Sequence, residues 1–422
     1  MRARMRPVSE LAALLAIAGL LAGASAAQTA PQAKTAAQAG AGAVPGGAAT
    51  FEALRTRADA ARDAEKLDDA SRLYRRALAI RPSWAEGWWS LGTIDFDSSR
   101  YAESEEDFRR LLKLAPNDGS TYMMLGLSEY ELRDYDDSSK HLALAWKLGI
   151  RDAEEMEPVL LYHRVLLALR ARHFEAAAQL LQQMTHKGIR NREVEFAYGM
   201  SAMRVTPDEV PPVQSEGFRT IYRIGHAEAS DSTDTHQQAR DLYEAAVNAA
   251  PDFPNIHFAY GRFLMEINEP DAAAEQFKLE LKNNPKDYQS MLKLASLDYR
   301  VDSAAGIPYA EEALKLAPNY PLAHYLLGVL CLDTGDVDRA IKELETARKM
   351  MPTEPQIAFS LASAYTKAHR KEDAAAEKAE FMKLQSAQSD NDTQRYYDEK
   401  PNTGMELGSH ESDAAAKPEN AH

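Results

Sequence analysis

PLAHYLLGVLCLDTGDVDRAIKELETARKMMPTE, residues 321–354, is a unit of two halves around a turn. Leu327, Gly328, Cys331 and Leu332 mark the first half; Ala340, Leu344 and Ala347 mark the second. Apolar residues recur three and four apart in both, so each half reads as an amphipathic helix of about three to four turns. Gly335-Asp336 makes the turn, and Gly328 and Ala340 are small where the two helices must cross closely. Pro352 stops the second helix, because proline has no N–H and its ring clashes with the preceding turn. Such a pair of helices cannot bury its apolar face alone, so it implies neighbours of the same kind.

The neighbours are present. Phe51 to Trp84 carries Leu54, Ala58, Ala70, Tyr74, Ala77 and Pro82 at matching offsets. Ala85 to Asp118 carries Trp88, Leu91, Gly92, Phe108 and Pro116, with Asp95 where an aromatic residue is usual and Ser104 in place of an alanine. Gly119 to Asp152 follows with Tyr122, Leu125, Gly126, Ser138, Leu142 and Ala145; it lacks the closing proline, and Gly149 is expected to end its helix. A degenerate unit starts a helix at Glu157-Pro158 that runs through Arg172, and Gly188 ends its partner. A fifth first helix spans Glu193 to Arg204. After an interruption the pattern resumes at Ala239, Tyr243 and Ala246, then in units beginning at Pro254, Tyr288, Pro321 and Pro355, the last reaching Leu384.

With these offsets the stretch from Phe51 to Leu384 resembles the tetratricopeptide repeat (TPR) family, in which Leu-Gly, Ala, an aromatic, Ala and Pro recur together. The resemblance implies an all-α right-handed TPR superhelix, an α-solenoid, of about eight or nine helix-turn-helix units. It divides the chain into an N-terminal array (51–204), an insertion (205–235) and a C-terminal array (236–386). The insertion is 31 residues long and holds Pro207, Pro211 and Pro212. Within it Phe218, Ile221, Tyr222 and Gly225 fall at helical spacing, so Ser215 to Glu228 reads as a short helix, either a lid or the worn-down first helix of the next unit.

The ends differ in kind. Arg2, Arg4 and Arg6 precede the apolar run Leu11 to Ala22, and Ala24-Ser25-Ala26-Ala27 supplies small residues for cleavage, so residues 1–27 read as a bacterial export signal peptide. An uncleaved anchor is the other reading of the same run, which is short for a membrane span. Residues 28–49, rich in Ala, Gln and Gly, and the polar tail 387–422 have too few large apolar residues to offset their chain entropy and are expected to be disordered. No later stretch is long and apolar enough to span a membrane, and a formal net charge of −15 disfavours nucleic acid, whose phosphates need a basic footprint.

Chemistry is sparse. The single cysteine, Cys331, excludes a disulfide within the chain and reads as a small buried hydrophobe. No helical His pair, phosphate-binding glycine loop or nucleophile elbow occurs, so no catalytic, cofactor or metal site is expected. Asp231, Asp234 and His236 read as a polar approach to a helix N-terminus, with Asp234 or Thr235 as cap. The clusters Glu103-Glu105-Glu106-Asp107 and Asp134-Asp136-Asp137 read as solvated helix starts that complement the helix dipole.

The resemblance implies a groove lined by the first helices, chiefly at offsets 5, 9 and 12 of each repeat. Those offsets pick out Trp89, Phe96, Met123, Tyr130, Tyr162 and Phe196 in the first array. In the second they pick out Phe258, Arg262, Met265, Tyr299, Tyr325 and Phe359. An aromatic, Met-rich wall suits a partner polypeptide with apolar anchors. The expected function is a non-enzymatic scaffold for a protein or peptide partner, in a setting such as envelope assembly or secretion. A chaperone-like holder of exported chains, or an enzyme or its accessory working through the insertion, are the alternatives. Oligomeric state is left open.

Overall fold

The structure, a computed structural model, describes residues 47–229 and 236–399. The expected signal segment, most of the 28–49 linker, Asp231, Asp234, Thr235 and the end of the tail lie outside the described residues. Among the described residues there are nineteen α-helices and no strand, an all-α solenoid of helical hairpins. Two compact units divide between Asn268 and Glu269; the sequence interruption at 205–235 falls inside the first.

The first unit opens with the hairpins α1 (Gly47–Asp63)/α2 (Leu67–Ile80), α3 (Ala85–Asp97)/α4 (Tyr101–Leu114) and α5 (Gly119–Glu131)/α6 (Tyr135–Leu148). They are followed by α7 (Ala153–Arg170)/α8 (Phe174–His186) and α9 (Arg192–Ala202)/α10 (Glu216–Glu228), then α11 (His236–Ala249) and α12 (Ile256–Glu266). The second unit comprises α13 (Pro270–Asn283), then α14 (Tyr288–Asp298)/α15 (Ser303–Leu316) and α16 (Pro321–Thr334)/α17 (Val337–Met350), and closes with α18 (Pro355–Lys367)/α19 (Lys371–Glu399). Within each unit the second helix of a pair packs on the first helix of the next, which is how hairpins with one apolar face bury it.

Proline and backbone handedness set the hairpin rhythm. Helices α2, α4, α13, α15 and α17 each end two residues before Pro82, Pro116, Pro285, Pro318 and Pro352. The intervening Arg81, Ala115, Asn284, Ala317 and Met351 leave the helical region, at φ between −125° and −135°, because a residue before proline is pushed out of it. At the corner between first and second helices the chain turns left-handed at Glu65 (φ 56°), Ser99 (57°), Arg133 (66°), Gly335 (91°) and His369 (59°), the same repeat position each time. The following amide closes the helix end, as Arg100 N–H donates to the Asp95 carbonyl (2.8 Å) and Asp336 N–H to that of Cys331 (2.9 Å). Only the 321–354 unit of this group spends a glycine on that corner. Gly149 (φ 79°) ends α6 where no proline does, as expected.

Three boundaries differ from the sequence reading. Helix α7 begins at Ala153 and carries Pro158 inside it. The N–H hydrogen bond that proline lacks would have gone to the carbonyl of exposed Glu154, in the first turn, where solvent can reach it. Helix α1 starts at Gly47, within the expected linker, and α19 continues through Glu399, beyond Ser386. Polar composition marks where burial ends, not where the backbone ladder does.

Cores form across hairpin joints. In the second unit Val329, Leu344 and Ala347 pack with Ile357, Leu361 and Tyr365 of the next pair, while Leu327, Leu330, Cys331 and Ala340 pack with Ala295 and Ala310 of the preceding one. Burial pushes the Cys331 thiol up to about 11, so it behaves as the small hydrophobe its position implied. The small residues do close a crossing: a Cβ on Gly328 would stand 2.6 Å from Leu344 Cγ.

Between the first and second repeats, and again between the second and third, the core is ionic. Asp95, fully buried on α3, accepts from Ser71 (3.3 Å) and Arg75 (2.6 Å) of the preceding second helix and from Arg100 (2.7 Å) of its own loop. One repeat on, fully buried Glu129 accepts from Arg109 (3.2 Å) and meets His141 (2.7 Å). An acidic residue where an aromatic is usual thus recruits an arginine from the helix before it, and the device repeats.

Asp107 departs from its cluster. Its neighbours Glu103 and Glu106 are exposed, but Asp107 is 7% exposed, because α4 turns Ser104, Asp107, Phe108 and Leu111 to one inward face. Desolvation, with Asp95 alongside from α3 and only partial relief from Arg75 on α2 and Arg110 on α4, pushes its carboxyl up to about 7. The folded chain therefore keeps a proton that the unfolded chain loses near pH 4, so this group's contribution falls as pH rises from about 4 to about 7. Asp107→Asn should accordingly raise the melting temperature more at pH 8 than at pH 5. Paired thermal melts check this, and an equal shift at both pH values overturns it.

Candidate partner-binding surface

The twelve first-helix positions do not share one environment. In the first unit Met123, Tyr130, Tyr162 and Phe258 are buried, each under a tenth exposed. They stiffen the stack and offer no free surface. Helices in a tight array are flanked on two sides, so side chains angled toward a neighbour are sealed by it.

Tyr130 shows how. Its ring meets Tyr135 edge-on at 5.5 Å and His163 of the following first helix at 5.0 Å, and Tyr162 lies 6.3 Å from the same imidazole. Arg170 covers Tyr135 (4.6 Å) and Tyr130 (5.5 Å) from the far end of α7. Burial lowers the His163 pKa; its Nδ1 stands 2.8 Å from the Val159 carbonyl, so neutral imidazole is the packed form. Phe258 is covered in the same manner by the Arg204 guanidinium, 3.8 Å from the ring.

Trp89 and Phe96 on α3 are half-buried. Trp89 sits edge-on to Phe108 at 5.7 Å with Arg151 over its face at 4.3 Å, and Arg151 is itself held by Asp118 (2.9 Å). Phe96 leans on Tyr101 at 5.4 Å. A ring backed on one side and capped by a guanidinium stays in one rotamer, which lowers the entropy lost when a partner covers it. The wall is thus less purely apolar than residue identities imply. Arg151 carried no signal in the sequence, since it follows the turn at Gly149 and sits at none of the groove offsets.

Phe196 meets the insertion. Helix α10 stacks Phe218 on it at 4.5 Å, with the rings 27° from parallel, and Tyr222 donates to Glu195 (3.0 Å). Helix α10 is no free flap: Thr220, Ile221, Ile224, Gly225 and Ala227 are buried, and it packs against both α9 and α11. Ser215 caps it by accepting from Phe218 N–H (3.1 Å). The segment leading to it is pinned too. Thr206 and Glu209 form a capping box, and Asp208 accepts from Arg170 on α7 (3.3 Å). The helical spacing of Phe218, Ile221 and Tyr222 was the legible sign of this helix; what it covers was not.

Arg262 and Met265 on α12 are half-buried. Arg262 faces Glu228 and Glu266, and with the fully buried Tyr243, whose hydroxyl donates to Glu228, they form a closed polar set. In the second unit Tyr299 and Tyr325 are half-buried against the same cluster of Val329, Leu344 and Tyr365, so the fold brings these two together. Arg300 lies 5.1 Å from the Tyr299 ring. Phe359 is 54% exposed and leans on Phe381 of α19 at 5.4 Å.

No group of His, Cys, Asp or Glu among the described residues is arranged to hold a metal ion, and no helix among them is long and apolar enough to cross a membrane.

Two sequence models, both described as tetratricopeptide repeat, match this chain, one over residues 300–362 and the other over 55–119, 90–152 and 231–288. The human protein O-mannosyl-transferase TMTC3 is 25% identical over 162 residues, which are 36% of this chain and 18% of that protein. The chain therefore spans under a fifth of that relative's length. Among solved structures, MamA is 20% identical with a TM-score of 0.36, covering 39% of this chain and 96% of that one. YrrB, titled a TPR protein with an unusual peptide-binding site, is 16% identical with a TM-score of 0.35, covering 40% and 87%.

Proposed function

Since the chain belongs to the tetratricopeptide repeat family, we propose that it is a non-enzymatic scaffold that binds a partner polypeptide along its first helices. The observation that carries this reading is a set of rings the stack leaves partly open: Trp89, Phe96, Phe196, Tyr325 and Phe359 on first helices, and Tyr299 just past the end of α14. Rings that are backed and oriented, yet not sealed, are the features of anchor sites in protein interfaces. Met123, Tyr130, Tyr162 and Phe258 serve this reading as the rigid backing. The proposal places the protein outside the cytoplasm, periplasmic or secreted, on the strength of residues 1–27 alone, with envelope assembly or secretion as the setting.

The test is a photo-crosslinking amino acid at Trp89 or Phe96, with Leu114, 42% exposed on the second helix α4, as the control position. The same polypeptide should be captured from both first-helix positions and not from Leu114, and capture at Phe96 should fall when Trp89 is replaced by alanine. Equal capture at Leu114, or none at either ring, counts against the scaffold.

A further inference from the structure

At the end of α7, Arg170 lies over the Tyr130 and Tyr135 rings with its side chain 15% exposed. Stacking on two rings holds the guanidinium in one orientation, so little rotamer entropy is left to lose when something binds it. Its pairing is incomplete. A guanidinium carries five N–H donors in a fixed fork. Among the described residues Nη2 meets Asp208 at 3.3 Å, long beside the about 2.7–2.9 Å of a close charge-assisted bond, and Nε and Nη1 have no acceptor. Half-buried Glu131 on α5 feels this charge, which only partly offsets the upward push of burial on its carboxyl.

The acid that Arg170 meets comes from the segment between α9 and α10, where Pro207–Glu209 forms a single 3-10 turn. Glu209 is committed to that turn. Its carboxylate accepts from the N–H and the Oγ1 hydroxyl of Thr206 (3.0 Å each), and it pairs with Arg172 as well. Val205, Thr206 and Pro207 are buried. Asp208 is different: its side chain is 69% exposed, and Arg170 is its one hydrogen-bond partner among the described residues. Exposed pairs of this kind are weak, so Asp208 can swing into solvent while the buried residues and Glu209 keep the turn in place.

The position of this pair ties it to the open rings. Tyr130 holds on α5 the groove offset that Phe96 holds on α3, and each ring meets a tyrosine of its own second helix edge-on, Tyr135 and Tyr101. A segment anchored on Phe96 and continuing along the first helices comes to Arg170. Resting on the scaffold reading above, we infer that Arg170 is a subsite for an acidic side chain of the bound polypeptide, and that Asp208 is the chain's own occupant of it. The incoming carboxylate takes the place of Asp208 on the guanidinium, and Asp208 turns to water. One carboxylate replaces another, so the charge beside Glu131 stays the same and the exchange gives up a single weak, exposed pair. A planar fork held over two rings suits a carboxylate, which it can meet through two parallel N–H bonds where Asp208 makes one.

The experiment is NMR titration of the full chain, isotopically labelled at the arginine nitrogens, with acetyl-Val-Thr-Pro-Asp-Glu-Val-amide, a copy of residues 205–210. The Arg170 Nε–H is shut from water, so it exchanges slowly enough to be seen, and its absence from Arg170→Lys assigns it. The peptide should shift this signal. Asp208→Asn, shown to be folded by its melting curve, should need about three- to fivefold less peptide for half the shift. The same peptide with Asn and Gln in place of its two acids, and sodium acetate at equal concentration, should leave the signal where it is. Equal half-saturation in Asp208→Asn and the parent overturns the subsite, as does a shift by the neutral peptide, a shift by acetate as readily as by the peptide, or no shift by the acidic peptide. Crosslinking from Trp89 and Phe96 reads the scaffold separately, so capture there alongside any of these results overturns the subsite alone.

Discussion

Gly225→Ala should disrupt the middle of the first unit. A Cβ on Gly225 would stand 1.8 Å from the Glu195 carbonyl oxygen, and one on Gly199 would stand 1.9 Å from that of Ile221. Helices α9 and α10 thus cross backbone to backbone. A carbonyl tied into a helical ladder cannot swing aside as a side chain can, so the helices must part. Alanine gains about 1 kcal/mol over glycine in a helix, but overpacking costs about 1–3 kcal/mol and more where backbone obstructs. The net loss should be about 2 kcal/mol or greater. Amide exchange over residues 192–228 should accelerate, with the last hairpin of the second unit unaffected. Gly328→Ala is the control. There the nearest atom belongs to the Leu344 side chain, 2.6 Å away, which can shift its rotamer at smaller cost. Gly225→Ala melting like the parent would mean that the two helices do not cross so closely.

Asp95→Ala should cost about 2–3 kcal/mol. Removing one partner of a wholly buried pair costs about 3–5 kcal/mol, but the side chains of Arg75 and Arg100 are 49% and 30% exposed and regain water. What is lost is four hydrogen bonds, from three residues, to a fully buried carboxylate and the tie between α2 and α3. By comparison, Arg55→Ala removes an exposed pair with Glu52, its side chains 48% and 50% exposed, and should change stability by less than about 0.5 kcal/mol. Asp95→Ala also removes the charge beside Asp107, whose carboxyl then ionises at lower pH. The loss should therefore be smaller at pH 8 than at pH 5. Chemical denaturation at both pH values reads the size and the trend together; a loss independent of pH would separate the two carboxyls.

The sequence announced more of the scaffold than of the surface. Pro82, Pro116, Pro285, Pro318 and Pro352 each follow a second helix, and Gly149 ends α6, because helix termination is a local matter of missing amides and left-handed backbone. Pro158 misled for the same reason inverted: a proline near the start of a helix removes little, so α7 runs through it. The helix inside the insertion was legible from the spacing of Phe218, Ile221 and Tyr222, yet its place between α9 and α11 was not. Glu103 and Asp107 look alike in the sequence. They differ because one more turn of α4 carries Asp107 beneath α2 and α3.

By itself, the order of residues determined the hairpins, their corners and the tetratricopeptide spacing, all set by contacts within a few tens of residues along the chain. Tertiary structure alone decided which rings stay open. Trp89 keeps a face and Tyr130 loses it although both lie on first helices at groove offsets, because His163 and Arg170 come from the next repeat to cover Tyr130. Burial is a sum over neighbours, and those neighbours are brought together by stacking rather than by spacing.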